Sequence, residues 1–162
     1  MSAPTEVLLQ FDAAANAYAA TCHTDPLQWH RPDAAEFTRL HDLLLPHAES
    51  GDARSQYALA TIYWLGLCCE TEEELAQTRQ VSIEKATPWW IAAAAQGHWP
   101  ALDNLVTSGV GPDAERARQA WAALEHERPD LVGHYSGMPV YGPPFVQELS
   151  RRLYSKVDLT LM

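Results

Sequence analysis

Apolar positions recur with a helical period along most of this chain, and no stretch alternates with period two for long. Val7, Leu8, Phe11, Ala14, Ala15 and Tyr18 share one face of a first helix, expected over residues 5–20, with a loop at 21–32. Asp33 and Glu36 form a capping box for a second helix carrying Phe37, Leu40, Leu43, Leu44 and Ala48. Pro46 should kink its last turn or end it early. Gly51 marks a turn, and Asp52 caps a third helix through Tyr57, Leu59, Ala60, Ile62 and Tyr63, closed by Gly66. Residues 67–85 read as an insertion, in which Thr71 and Glu74 cap a short helix bearing Leu75, Thr78, Val81 and Ile83.

The stretch 86–109 predicts a helical hairpin. Thr87 can cap its first helix and Pro88 suits the first helical position. Trp89, Trp90, Ala93 and Ala94 make a large–large, small–small stripe, and successive tryptophans point about 100° apart, so one is exposed in part. Gly97 should stop the helix in a left-handed C-cap, and Pro100 starts the next one. Gly111-Pro112-Asp113 turns into a charged helix with Ala117, Ala120, Trp121 and Leu124 on its apolar side. Residues 129–144, dense in proline, glycine and tyrosine, predict an ordered irregular loop. Phe145, Val146, Leu149, Leu153 and Val157 form a final amphipathic helix. The pattern predicts an all-α fold of about seven or eight helices and no sheet.

Composition narrows the function classes. A chain of 162 residues, 47% hydrophobic, is long enough to bury one core as a single domain. A formal net charge of −10 argues against nucleic acid or an anionic membrane as the direct ligand. The same charge suits fast, salt-sensitive association with a basic protein. Glu70, Glu72, Glu73 and Glu74 concentrate it at a helix start, where they favour the dipole and offer an acidic patch to such a partner. No apolar run is long enough to span a bilayer and no basic leader is visible, so the expected location is the cytoplasm.

Candidate chemistry changes this picture little. Cys22, Cys68 and Cys69 suit reduced thiols, and adjacent residues such as Cys22-His23 or Cys68-Cys69 lack the spacing of structural zinc ligands. Neither GxGxxG nor GxxxxGK[ST] occurs, and His41 and Asp42 read as helix-surface residues. No catalytic residue, metal or cofactor is expected. Trp99, beside the hinge glycine, is the preferred exposed aromatic for binding. Tyr135, Met138 and Tyr141, flanked by Gly137 and Gly142, suit either a packed cap or a partner-binding loop.

An internal repeat completes the reading. Gly51 and Gly97 stand 46 residues apart, and Leu59 and Leu105, then Ala60 and Val106, follow at matching places. Ala86, Trp89, Ala93, Ala94, Gln96 and Gly97 spell A-x-x-W-x-x-x-A-A-x-Q-G, and Tyr63 and Gly66 close the first unit. This pattern resembles the Sel-one-like repeat, a relative of the tetratricopeptide repeat, with Ala101 and Leu105 as structural positions of the second unit. Leu40, Leu43 and Pro46 depart from the family pattern, and the second unit lacks the late tyrosine. The resemblance covers about two repeats over roughly residues 36–110, flanked by an N-terminal cap at 1–32 and a C-terminal cap at 111–162. It implies a short solenoid that binds other proteins without catalysis. By analogy, it implies a bacterial immunity protein that neutralises a toxic effector, or an adaptor in a signalling or stress assembly. A small enzyme built on a Cys–His pair is the reading from a different class.

Overall fold

The computed structural model describes residues 4–158, with side chains through Tyr154. The fold is all-α. Its helices are α1 (Pro4–Thr24), α2 (Ala34–Glu49), α3 (Ala53–Leu65), α4 (Glu72–Ala95), α5 (Trp99–Ser108), α6 (Pro112–Glu127) and α7 (Pro143–Asp158). Between α6 and α7 lie a 3₁₀ turn at Pro129–Leu131 and a hairpin of β1 (Val132–Tyr135) and β2 (Met138–Tyr141). Each helix packs on its successor; α1 also reaches α3, and α4 reaches α7.

Two apolar clusters meet across α3. Val7, Leu8 and Phe11 join Phe37, Leu40 and Leu44 against Ala58, Leu59 and Ile62. Ala60, on the other side of α3, faces Trp90, Ala94, Leu102, Leu105 and Phe145. A helix covered on two sides needs no single apolar stripe, so α3 is apolar nearly all round. Trp90 is fully buried and meets Trp64 edge-on, with ring centroids 5.8 Å apart. Trp89 is half-buried and touches both clusters, as the angular spacing predicts. Leu153 lies in the second cluster, while Val157 lies outside the described side chains.

Burial recurs at the 46-residue offset. Leu40, Leu44, Ala48, Ser55 and Leu59 are buried, and so are Ala86, Trp90, Ala94, Ala101 and Leu105. The two hinges are also wired together. The buried Gln56 amide donates to the Ala48 carbonyl at 3.1 Å and accepts from Gln96 at 2.9 Å. Gly51 and Gly97 both have positive φ, +102° and +81°, as a left-handed turn after a helix requires.

The expected caps form, with one adjustment. Asp33 accepts from the Glu36 amide, Asp52 from Ser55 and Thr71 from Glu74. The returning carboxylates go elsewhere: Glu74 accepts from the Glu70 amide, one residue before the cap, and Glu36 pairs with Arg39.

Several boundaries differ from the sequence reading. Helix α1 runs on to Thr24, where Thr21 and Thr24 hydroxyls bond back to helix carbonyls. Pro46 does not end α2, which continues to Glu49. The supposed insertion is a short turn followed by the first half of α4, which passes unbroken through Pro88. Thr87 therefore does not start a helix. Its hydroxyl bonds back to the Ile83 carbonyl at 2.9 Å and accepts from the Val110 amide at 3.2 Å. Pro88 leaves without a donor a carbonyl on the exposed Glu84, which water can satisfy. Finally, part of the expected irregular loop is a two-stranded sheet. Ser136 and Gly137 take positive φ at its turn, +50° and +77°, the geometry that matches hairpin twist.

Candidate functional site

The hairpin creates a surface that periodicity alone does not reveal. Its register pairs Val132 with Tyr141, Gly133 with Val140, His134 with Pro139 and Tyr135 with Met138. Opposed residues share a face, so Val132, His134, Pro139 and Tyr141 form one face and Gly133, Tyr135, Met138 and Val140 the other. The first face packs on the helices through Val132 and Tyr141. The second points outward, with Tyr135 77%, Met138 68% and Val140 45% exposed.

An aromatic cluster supports the hairpin from below. Trp121 of α6 stacks on Trp99 with centroids 6.0 Å apart and meets the Tyr141 and Phe145 rings at 4.6 and 5.0 Å. Glu125, one turn after Trp121, accepts from the Trp121 indole N–H at 2.7 Å and from the Tyr141 hydroxyl. That carboxylate holds the Tyr141 phenol above its ordinary value. Trp99 keeps 37% of its surface exposed beside a cleft of about 200 Å³ lined by Tyr141, Pro143 and Val146.

The sequence candidates thus divide into two places. Trp99 and Tyr141 meet around Trp121, and Tyr135 and Met138 pair across the hairpin. Glu70, Glu72, Glu73 and Glu74 are exposed at the start of α4, whose 24 residues span about 36 Å. The acidic run and Trp99 therefore lie at opposite ends of one helix. Missed by sequence reasoning were Val140, which pairing with Gly133 sets on the outward face, and the Trp121–Glu125 unit, which meets Tyr141 of a later segment of the chain.

Comparison with known proteins gives no match: no family model, no curated protein and no solved structure aligns with this chain. The functional reading rests on the geometry.

Other polar groups have local roles. His41 is not a plain surface residue: its Nδ1 lies 3.0 Å from Asp42 and its Nε2 2.7 Å from the Tyr63 hydroxyl, tying α2 to α3. Burial, then the nearby Cys68 and Asp42, raises the Tyr63 phenol. Burial also pushes the Cys68 thiol up, away from the thiolate a nucleophile needs. Among the described residues, no three His, Cys, Asp or Glu side chains gather as metal ligands, and no helix is long and apolar enough to cross a membrane. A cavity of about 560 Å³ is an open groove between α1 and α2, and Glu36 in its wall is already paired with Arg39.

His98 gives the fold a pH dependence. Its ring lies 4.9 Å from Tyr57, and its Nε2 is buried without a hydrogen-bond partner. Burial, and then Arg54, lowers its pKa below the ordinary histidine value. The folded state therefore binds this proton less well than the unfolded chain. The stability is complete above about pH 6.5 and declines as pH falls from there through the depressed folded value. Thermal midpoints measured from about pH 7.5 to 5 should fall less steeply in a His98→Phe variant. An equal slope would assign the sensitivity to another group.

Proposed function

We propose that this chain is a non-catalytic protein-binding module, and in its most specific form a bacterial immunity protein that neutralises a basic toxic effector. The observation that carries the reading is the outward hairpin face, where Tyr135, Met138 and Val140 stand exposed together. Clustered exposed apolar and aromatic side chains are typical of interface centres. Trp121, Tyr141 and Phe145 hold that face against α6 and α7, so little ordering remains to oppose binding. The net charge of −10 favours a basic partner and disfavours close approach of a second copy. The matched burial around Gly51 and Gly97 supports the Sel-one-like reading of residues 36–110 and the cytoplasmic, protein-binding role that goes with it.

Affinity capture from the source cells, followed by expression of the captured protein alone and with this chain, tests the proposal. A stoichiometric basic protein, toxic alone and harmless in co-expression, is the expected result. Non-toxic signalling or stress proteins held through the same hairpin would replace immunity with an adaptor role. Capture of nothing through the hairpin would overturn the binding module itself.

A further inference from the structure

The inner face of the hairpin borders a second, separate recess that is open to solvent. Glu125, Pro129, Val132, His134, Pro139 and Tyr141 line a pocket of about 270 Å³ between α6, the 3₁₀ turn and the strands. We propose that this pocket receives a basic side chain of the partner protein, an arginine by preference, with Glu125 as its counter-ion. The inference rests on the hairpin end being the interface.

Charge bookkeeping at this end of the molecule points to Glu125. Glu127 is paired with Arg152 at 2.7 Å, Asp130 with Arg128 at 2.9 Å, and Glu148 with Arg151 and Arg152 at 2.6 and 3.2 Å. Glu125 differs: among the described residues, no cation pairs with it. Its Oε1 accepts two neutral donors, the Trp121 indole and the Tyr141 hydroxyl, and Oε2 has no protein partner among those residues. Two donors on one oxygen fix the carboxylate's orientation before any ligand arrives. The half-buried carboxylate is thus oriented by neutral donors and lacks a cation partner among the described residues.

The rest of the lining suits the same ligand. Tyr141 supplies an aromatic ring, and Pro129, Val132 and Pro139 give apolar contact for an alkyl stem. A guanidinium is planar, stacks on aromatic rings and presents paired donors to a carboxylate, so it fits better than a compact, strongly hydrated ammonium. An anion would instead meet Glu125 head-on.

The test uses a small probe and needs no partner. N-acetyl-arginine amide is titrated into the full chain while the Trp121 indole N–H resonance is followed, with N-acetyl-citrulline amide as the neutral control of nearly equal shape. The expected result is a saturable shift with a midpoint in the low millimolar range for arginine, on the order of tenfold weaker for citrulline. Glu125→Gln keeps an oxygen for Trp121 and Tyr141 and loses the charge, so arginine binding should fall to the citrulline level. Should that variant unfold, His134→Lys places an ammonium at an exposed lining position and should weaken arginine binding while leaving Glu125 in place. Equal affinity for the two probes, or no saturable shift, overturns the pocket assignment. If the probe fails while a partner still binds through the outward face, the pocket is wrong and the module stands. If the probe binds and no partner is captured, the pocket takes a guanidinium but the proposal that a partner protein supplies it falls with the module.

Discussion

Trp90→Ala is expected to remove about 3–5 kcal/mol of folding stability, close to the limit a domain of this size survives. The side chain is fully buried, between Trp64 and the alanines that let α4 and its neighbours approach closely. Alanine leaves a cavity that rigid helices on several sides cannot collapse to fill. The indole N–H adds a discriminating feature, because it is buried without an acceptor and its desolvation already opposes folding. Trp90→Phe gives up volume but also removes that orphan donor, so its loss should be distinctly smaller than alanine's. Chemical denaturation of the two variants checks this, and equal losses would mean that a phenyl ring recovers none of the packing the indole provides.

Gly109→Ala is expected to cost roughly 2–3 kcal/mol, for want of space. The residue has an ordinary φ of −63°, so alanine suits its torsion. An added Cβ, however, would stand 2.5 Å from the Leu105 carbonyl oxygen and 3.0 Å from the Ala114 methyl. The backbone must move, and with it the Gly109 carbonyl that accepts from Arg118 at 3.1 Å. Gly66 offers a contrast: its added Cβ would meet the end of the flexible Leu75 side chain, and its penalty comes mainly from φ of +63°. Urea midpoints should place Gly109→Ala well below wild type, with the α5–α6 junction the first region to lose amide protection. An unchanged midpoint would show that the junction has slack.

What the sequence made legible follows from the range over which each signal acts. Asp33, Asp52 and Thr71 announce helix starts because a cap is satisfied within four residues. Gly97 announces a stop for the same local reason, and the tryptophan pair divides between core and rim by helical angle. Pro88 misleads because its local rule favours a helix start, while packing on α3 and α5 carries α4 straight through it. The hairpin is hidden because four-residue strands holding Gly133 and Pro139 show too little alternation, although Ser136-Gly137 is a usable turn signal. Trp99 and Tyr141 are legible individually as candidates. Their meeting at Trp121, and the role of Glu125 within a helix rich in charges, depend on contacts between segments that periodicity does not register.

The central claim is that the outward hairpin face holds a protein partner, and one binding titration tests it. The protein captured from the source cells is titrated against wild type and against a Tyr135→Ala, Met138→Ala variant. Both side chains are mostly exposed, so the variant should keep its thermal midpoint within a few degrees. Its affinity should fall on the order of 100-fold, the loss expected from removing two central anchors. Equal affinity in a folded variant would contradict the claim and move the interface elsewhere on the molecule.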